Sequence, residues 1–128
     1  MTNLKKKLEW EDKIWGKTRH LFCSPHAAMS HLVVEKGSWC SKHTHKERAN
    51  IFICLSALIE VEEWELNGDV LVTLLEPGDS YTVPSGVLHR FRVLEDGEVI
   101  EIYYPDRGGE VSIFDIDREE VGGRHGSR

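Results

Sequence analysis

The sequence predicts an all-β protein, a sandwich or a barrel, on three observations. About eight short segments are rich in valine, isoleucine, phenylalanine and tyrosine, which β-strands favour. Turn signals built on glycine, proline, asparagine and aspartate separate these segments at near-regular spacing. No stretch between them has the length and pattern of the helices that a parallel α/β fold needs.

The predicted strands follow one another along the middle of the chain. They cover residues 19–23, 28–34, 50–55, 58–64, 70–75, 81–83, 89–94 and 99–104. Turns are expected at 35–37, 67–69, 76–79, 84–86 and 95–97. Residues 4–15 fit either a short helix or an extra edge strand, because their periodicity does not decide between the two. The tail at 122–128 is expected to fray.

Length, charge and cysteine usage set limits on the class of protein. The 128 residues suit one domain, expected over 1–128 with a barrel core at about 18–105. A net charge of −6 argues against nucleic acid as the main partner. No apolar run approaches the roughly 20 residues that span a membrane, and no apolar region follows the basic start as in a secretory signal.

The cysteines number three, Cys23, Cys40 and Cys54, without a CxxC pair. An odd count without that spacing is not typical of a disulfide framework, so a reducing cytoplasm is the expected location. Cys54 lies in an apolar predicted strand and is expected to be a small core residue.

Three of the seven histidines form a pattern with chemical meaning. His43 and His45 are two residues apart, so in an extended segment both imidazoles point to the same face. His89 alternates with Phe91 and Val93, which places it on the interior face of its strand. A barrel could therefore bring His89 opposite the other two, and the three would bind one divalent metal ion.

The predicted ligands do not identify the metal, because imidazole nitrogen suits zinc, iron, nickel, copper and manganese to different degrees. Three protein ligands leave coordination positions open for water or substrate, as in catalytic sites. The alternative is a polar pair in an exposed loop and an unrelated core histidine.

Two stretches resemble the paired motifs of the cupin superfamily. The residues at the motif positions are Gly37, His43, His45, Asn50 and Ala57 in the first motif, and Gly78, Pro84, Gly86 and His89 in the second. This resemblance covers residues 37–93. It implies a double-stranded β-helix, the cupin or jelly-roll barrel, with short N-terminal and C-terminal extensions. It also implies a metal at His43, His45 and His89.

The sequence departs from these motifs at Asn50, where the family usually has a glutamate ligand, and at Ala57 and Val93. An Asn50 carbonyl oxygen would leave the metal its full charge, so the ion would bind more weakly and be more electrophilic. Alternatively, the Asn50 amide faces a substrate, or the site holds no metal. Among nearby carboxylates, Glu101 is a better substitute ligand than Glu47, because it shares a strand face with apolar neighbours.

A closer resemblance is to the small cupin domain of type II phosphomannose isomerases. It is carried by residues 15–16, 48–52, 56–57, 115–118 and 122–124. One difference is that His45 and Asn50 are two residues further apart than the corresponding positions of that family, as if Lys46 and Glu47 were inserted. The resemblance implies aldose–ketose isomerisation of a sugar phosphate of the mannose 6-phosphate type. Arg48, Lys42 and Arg92 are then candidates for a phosphate contact, and for each a solvent-exposed charge is the competing expectation.

Two other classes of function stay open. An Fe(II)-dependent dioxygenase would use a three-histidine centre, which Asn50 in place of glutamate favours. A non-catalytic module would bind a sugar or another small ligand, which the lack of an identifiable base favours. In each case the expected partner is a small molecule rather than nucleic acid or a membrane. A homodimer is also expected, formed by an N-terminal segment that carries Trp10 and Ile14.

Overall fold

The computed structural model describes residues 4–125, and this part of the chain is built from β-strands. None of these residues forms a helix that is long and apolar enough to cross a membrane. The strands are β1 Glu11–Lys13, β2 Gly16–Cys23, β3 Ala28–Val34, β4 Ser38–Trp39, β5 Lys42–Thr44, β6 Ala49–Cys54, β7 Leu58–Trp64, β8 Val70–Leu75, β9 Ser80–Val83, β10 Leu88–Glu95, β11 Gly97–Tyr104, β12 Asp117–Glu120 and β13 Gly123–Arg124.

The strands form two antiparallel sheets. The first has the order β1-β2-β3-β11-β6-β9. In the second, β10 pairs with β7 along one edge and with β4 and β5 along the other, while β8, β12 and β13 extend the sheet outward. Strands distant in sequence, such as β3 and β11, are therefore neighbours. The all-β prediction is confirmed.

All eight predicted strands are present, and the five that the pattern missed are short. They are β1, β4, β5, β12 and β13, of two to four residues each. A segment of this length is too short to show the alternation by which strands are predicted. The region 4–15 contains an edge strand rather than a helix, because β1 pairs with β2.

The expected fraying of the tail is wrong for residues 122–125, while 126–128 lie outside the described residues. Gly123 and Arg124 pair with Trp39 and Ser38 of β4. A Cβ atom on Gly123 would come within 2.6 Å of the Trp39 ring, so glycine permits this close approach. The tail is held by packing contacts that lie far away in sequence.

The inward faces of the strands divide the interior into two parts. One, here called the apolar half, contains Leu32, Val34, Cys54, Ile59, Val61, Val93 and Val99. The other, here called the polar half, contains Ser30, His43, His45, Asn50, His89, Glu101 and Tyr103. Phe52 and Phe91 lie between them, with ring centroids 5.9 Å apart. The candidate site is therefore inside the barrel.

Candidate metal centre

The three predicted histidines meet in the polar half. His43 of β5 pairs directly with His89 of β10, and His45 follows β5 on the same face. Their exposed fractions are 6%, 2% and 1% in the order His43, His45 and His89. The ring nitrogens that could bind an ion all lie within 4.8 Å of one another.

Each imidazole is oriented by a backbone carbonyl. The Nδ1 contacts run from His43 to Ser41 at 2.7 Å, from His45 to Asp115 at 2.7 Å and from His89 to Val87 at 2.8 Å. Because a carbonyl can only accept, each Nδ1 carries the proton and donates it. Each neutral ring therefore keeps its lone pair on Nε2. Metal-binding histidines are commonly held in this way.

Burial keeps these rings uncharged. It lowers the pKa of His43 to about 2, that of His45 to about 3 and that of His89 to about 4. Neighbouring positive charge adds to the effect on His45, because Arg48 lies nearby. At neutral pH the three nitrogens are therefore ready to bind a cation without losing a proton first.

Asn50 of β6 completes the cluster and is fully buried. Its Oδ1 lies 3.3 Å from His89 Nε2. With the proton of His89 on Nδ1, both of these atoms are acceptors, and no hydrogen bond joins them. His45 Nε2 and Asn50 Nδ2 are also buried without a hydrogen-bond partner. A cation would satisfy the lone pairs of the ring nitrogens and of Asn50 Oδ1, although not the Nδ2 donor, so the residues present fit a divalent metal.

A cavity of about 610 Å³ opens beside the cluster, and His43 forms part of its wall. Glu101 and Tyr103 of β11 also line this cavity. Burial raises the pKa of the Glu101 carboxyl, although the polar groups of Tyr103 and Asn50 oppose that shift. A buried carboxyl with a raised pKa in a cavity wall is a candidate for proton transfer.

The three residues predicted to contact a phosphate differ in where they lie relative to the cavity. Arg48 is only 6% exposed and lines the cavity, so the expectation of a solvated charge is wrong for this residue. Lys42 forms an ion pair with Glu119 at 3.2 Å. Arg92 lies over the Trp39 ring, with 5.4 Å to the ring centroid, and is not among the residues that line the cavity.

The two candidate carboxylates also differ. Glu101 lines the cavity, whereas Glu47 is exposed in the loop after His45. The backbone N–H groups of Lys46 and Glu47 each donate to the Asp115 carboxylate at 2.8 Å. The apparent insertion is thus held in place by the same residue whose carbonyl orients His45.

Sequence reasoning did not assign site roles to Asp115 and Tyr103. Asp115 is 70 positions from His45, and no local pattern connects the two. The Tyr103 ring lies 5.2 Å from that of His45 and under the Arg48 guanidinium. Tyr103 lies two positions after Glu101 on β11, so the alternation of strand faces places both side chains on the same face and could have indicated its role.

Comparison with solved structures identifies the fold. A mutant form of oxalate decarboxylase OxdC from Bacillus subtilis superposes with a TM-score of 0.74 at 19% identity, covering 88% of this chain and 30% of that one. KdgF from Halomonas sp. superposes with a TM-score of 0.66 at 22% identity, covering 78% of this chain and 88% of that one. No family model and no curated protein sequence matches the chain. The cupin fold is thereby confirmed, and the chain spans about a third of the length of the decarboxylase.

Proposed function

We propose that this protein is a small metal-binding cupin that holds one divalent cation with Nε2 of His43, His45 and His89. The observation that carries the proposal is the orientation of the three rings. Backbone carbonyls accept every Nδ1 proton, which leaves the three Nε2 lone pairs free, and the possible ligand atoms of the rings lie within 4.8 Å of one another. Asn50 Oδ1 is the proposed fourth ligand, because it faces His89 Nε2 with no proton between them.

We further propose an isomerase-like reaction on a small oxygenated substrate, with a sugar phosphate as the first candidate. When bound, the metal would polarise a carbonyl or hydroxyl oxygen of the substrate. Glu101 would take a proton from one carbon and return it to the neighbouring carbon. Its place in the cavity wall and its raised pKa support this role.

The second candidate is an Fe(II)-dependent dioxygenase. Its specific support is Asn50, which puts a neutral amide where a carboxylate ligand would reduce the charge of the ion. In this case iron alone would sustain turnover and O₂ would be consumed. A non-catalytic module would bind its ligand without either reaction.

Metal titration tests the first proposal. We expect one Zn²⁺ or Co²⁺ per chain by calorimetry, and His45→Ala should weaken binding by at least about 100-fold, because one of three ligands is lost. The matched control is His26→Ala, since His26 is exposed in the turn between β2 and β3. If wild type takes up no Zn²⁺, Co²⁺, Mn²⁺ or Fe²⁺, the Asn50 amide donates to His89 and the proposal is wrong.

Turnover distinguishes the two reactions. We expect the Mn²⁺- or Co²⁺-loaded protein to interconvert mannose 6-phosphate and fructose 6-phosphate without O₂. Glu101→Gln should abolish this conversion while its metal content equals that of wild type. Turnover that requires Fe²⁺ and O₂ would establish the dioxygenase. Absence of both reactions would leave the binding module.

A further inference from the structure

Arg48 is a buried cation in the wall of the cavity. It ends the loop after His45, and only 6% of it is exposed. Nη1 donates to the Ser112 carbonyl at 2.9 Å, and the guanidinium lies 3.9 Å from the centroid of the Tyr103 ring. These contacts fix the plane of the guanidinium. Nε is buried and has no hydrogen-bond partner.

Within residues 4–125, no carboxylate lies at salt-bridge distance from Arg48. A buried cation without a counter-ion costs free energy, since a carbonyl and an aromatic face do not neutralise it. Glu101 also lines the cavity, but no hydrogen bond or salt bridge joins it to Arg48 among the described residues. The exposed Arg118, which pairs with His43 between β12 and β5, adds positive charge to the same cavity. Among the charged residues that line the cavity, the basic Lys13, Arg48 and Arg118 outnumber the acidic Glu11 and Glu101.

We propose that the ligand of this cavity carries a carboxylate, which the Arg48 guanidinium binds. A planar carboxylate matches a planar guanidinium, and it brings the single negative charge that this buried cation lacks. A phosphate fits the same fork but carries more charge than this one cation, so it is the rival anion in the experiment below. The assignment rests on the proposed cavity site and changes its substrate class, because a carboxylate-bearing substrate would replace the sugar phosphate named there as first candidate. The anion contact itself does not require the metal.

Binding of glycolate by calorimetry tests this assignment, with ethylene glycol as the uncharged analogue and inorganic phosphate as the rival anion. We expect wild type to bind glycolate at least about tenfold more tightly than either of the others. Arg48→Gln should weaken glycolate by at least about tenfold, because the charge and the fork are lost. The glycolate affinity of Arg48→Lys should fall between those of wild type and Arg48→Gln. The matched control is Arg92→Gln on the outer face, which should bind like wild type.

Each titration is made on Zn²⁺-loaded and on metal-free protein. If Zn²⁺ does not bind but glycolate still depends on Arg48, the proposed metal function fails and the carboxylate site stands. If Zn²⁺ binds and Arg48→Gln leaves glycolate affinity unchanged, the carboxylate site is wrong and the metal stands. Preference for phosphate, or equal binding of ethylene glycol, would also overturn it. Should Arg48→Gln not fold, the wild-type comparison of the three probes decides alone.

Discussion

The polar half and the apolar half of the interior share strands β3, β6, β10 and β11, along which the inward side chains change from polar to apolar. Along β10 the inward residues are His89, Phe91 and Val93, and along β6 they are Asn50, Phe52 and Cys54. In both strands the polar residue stands at the same end of the barrel. One half therefore stabilises the fold by burying hydrocarbon, whereas the other holds a site within that frame.

The two halves also differ in how well their atoms are satisfied. The apolar half contains residues such as Ile59 and Val61, both fully buried. In the polar half, His45 and Asn50 each leave a buried polar atom without a partner, and so does Arg48 in the wall of the adjoining cavity. Such atoms cost stability, so their presence together in one region indicates a ligand-binding role rather than a structural one.

The largest expected loss of stability comes from a substitution at the boundary between the two halves, where Phe52 lies. Phe52→Ala should lower the free energy of unfolding by about 3–5 kcal/mol, since a buried aromatic ring is lost and a cavity remains. Chemical denaturation measures this change. The matched control is Phe114→Ala, whose side chain is 86% exposed and should matter by less than about 0.5 kcal/mol. Similar losses in both variants would contradict the assigned core.

The next effect is a pH dependence of the metal-free protein. Histidine has a pKa of about 6.5 when unfolded, but burial lowers those of His43, His45 and His89 to about 2, 3 and 4. Between these values the unfolded chain binds more protons, so stability rises with pH. We expect a loss of at least about 2 kcal/mol from pH 7 to pH 5.

Its control is a variant with all three histidines replaced by glutamine, measured by denaturation at the same two pH values. The other titrating groups are unchanged, so the variant should lose clearly less stability than wild type. An identical loss would show that the three rings are not held neutral by burial.

A smaller effect is expected at Asn50. Asn50→Leu should stabilise the metal-free protein by about 1–2 kcal/mol, because an unsatisfied buried amide becomes apolar at similar volume. Its Zn²⁺ affinity should fall. Asn50→Asp should destabilise the metal-free protein, because it buries a carboxylate. It should also raise the Zn²⁺ affinity, because the carboxylate attracts the ion. Thermal unfolding with and without Zn²⁺ measures both, and equal affinities in the two variants would exclude Asn50 as a ligand.

The smallest effect concerns the surface. We propose a homodimer through the N-terminal segment, where Trp10 and Ile14 are 40% and 44% exposed. Replacing both with serine should give a monomer by size-exclusion chromatography, with the stability of the monomer changed by less than about 1 kcal/mol. Trp15 must stay, because it packs on Phe91. The control is Leu66→Ser, and an unchanged mass in the double variant would contradict this interface.

The sequence by itself determined the strands and the inward direction of the site residues. Alternation of polar and apolar residues marked β10 and placed His89 with Phe91 and Val93, because side chains in a strand alternate between its two faces. The spacing of His43 and His45 placed both rings on one face. The glycines of the turns have positive φ values where the motif needs them, 83° at Gly37 and 97° at Gly78.

Only the tertiary structure decided what surrounds these residues. Asp115 orients His45 across 70 positions, and Arg48 became a buried cation because Tyr103 and Ser112 meet it from other parts of the chain. The short strands β5 and β12 exist through their pairing, not through their own pattern. The physical reason is that local sequence specifies the direction of a side chain, whereas its burial, charge state and partners depend on contacts between distant segments.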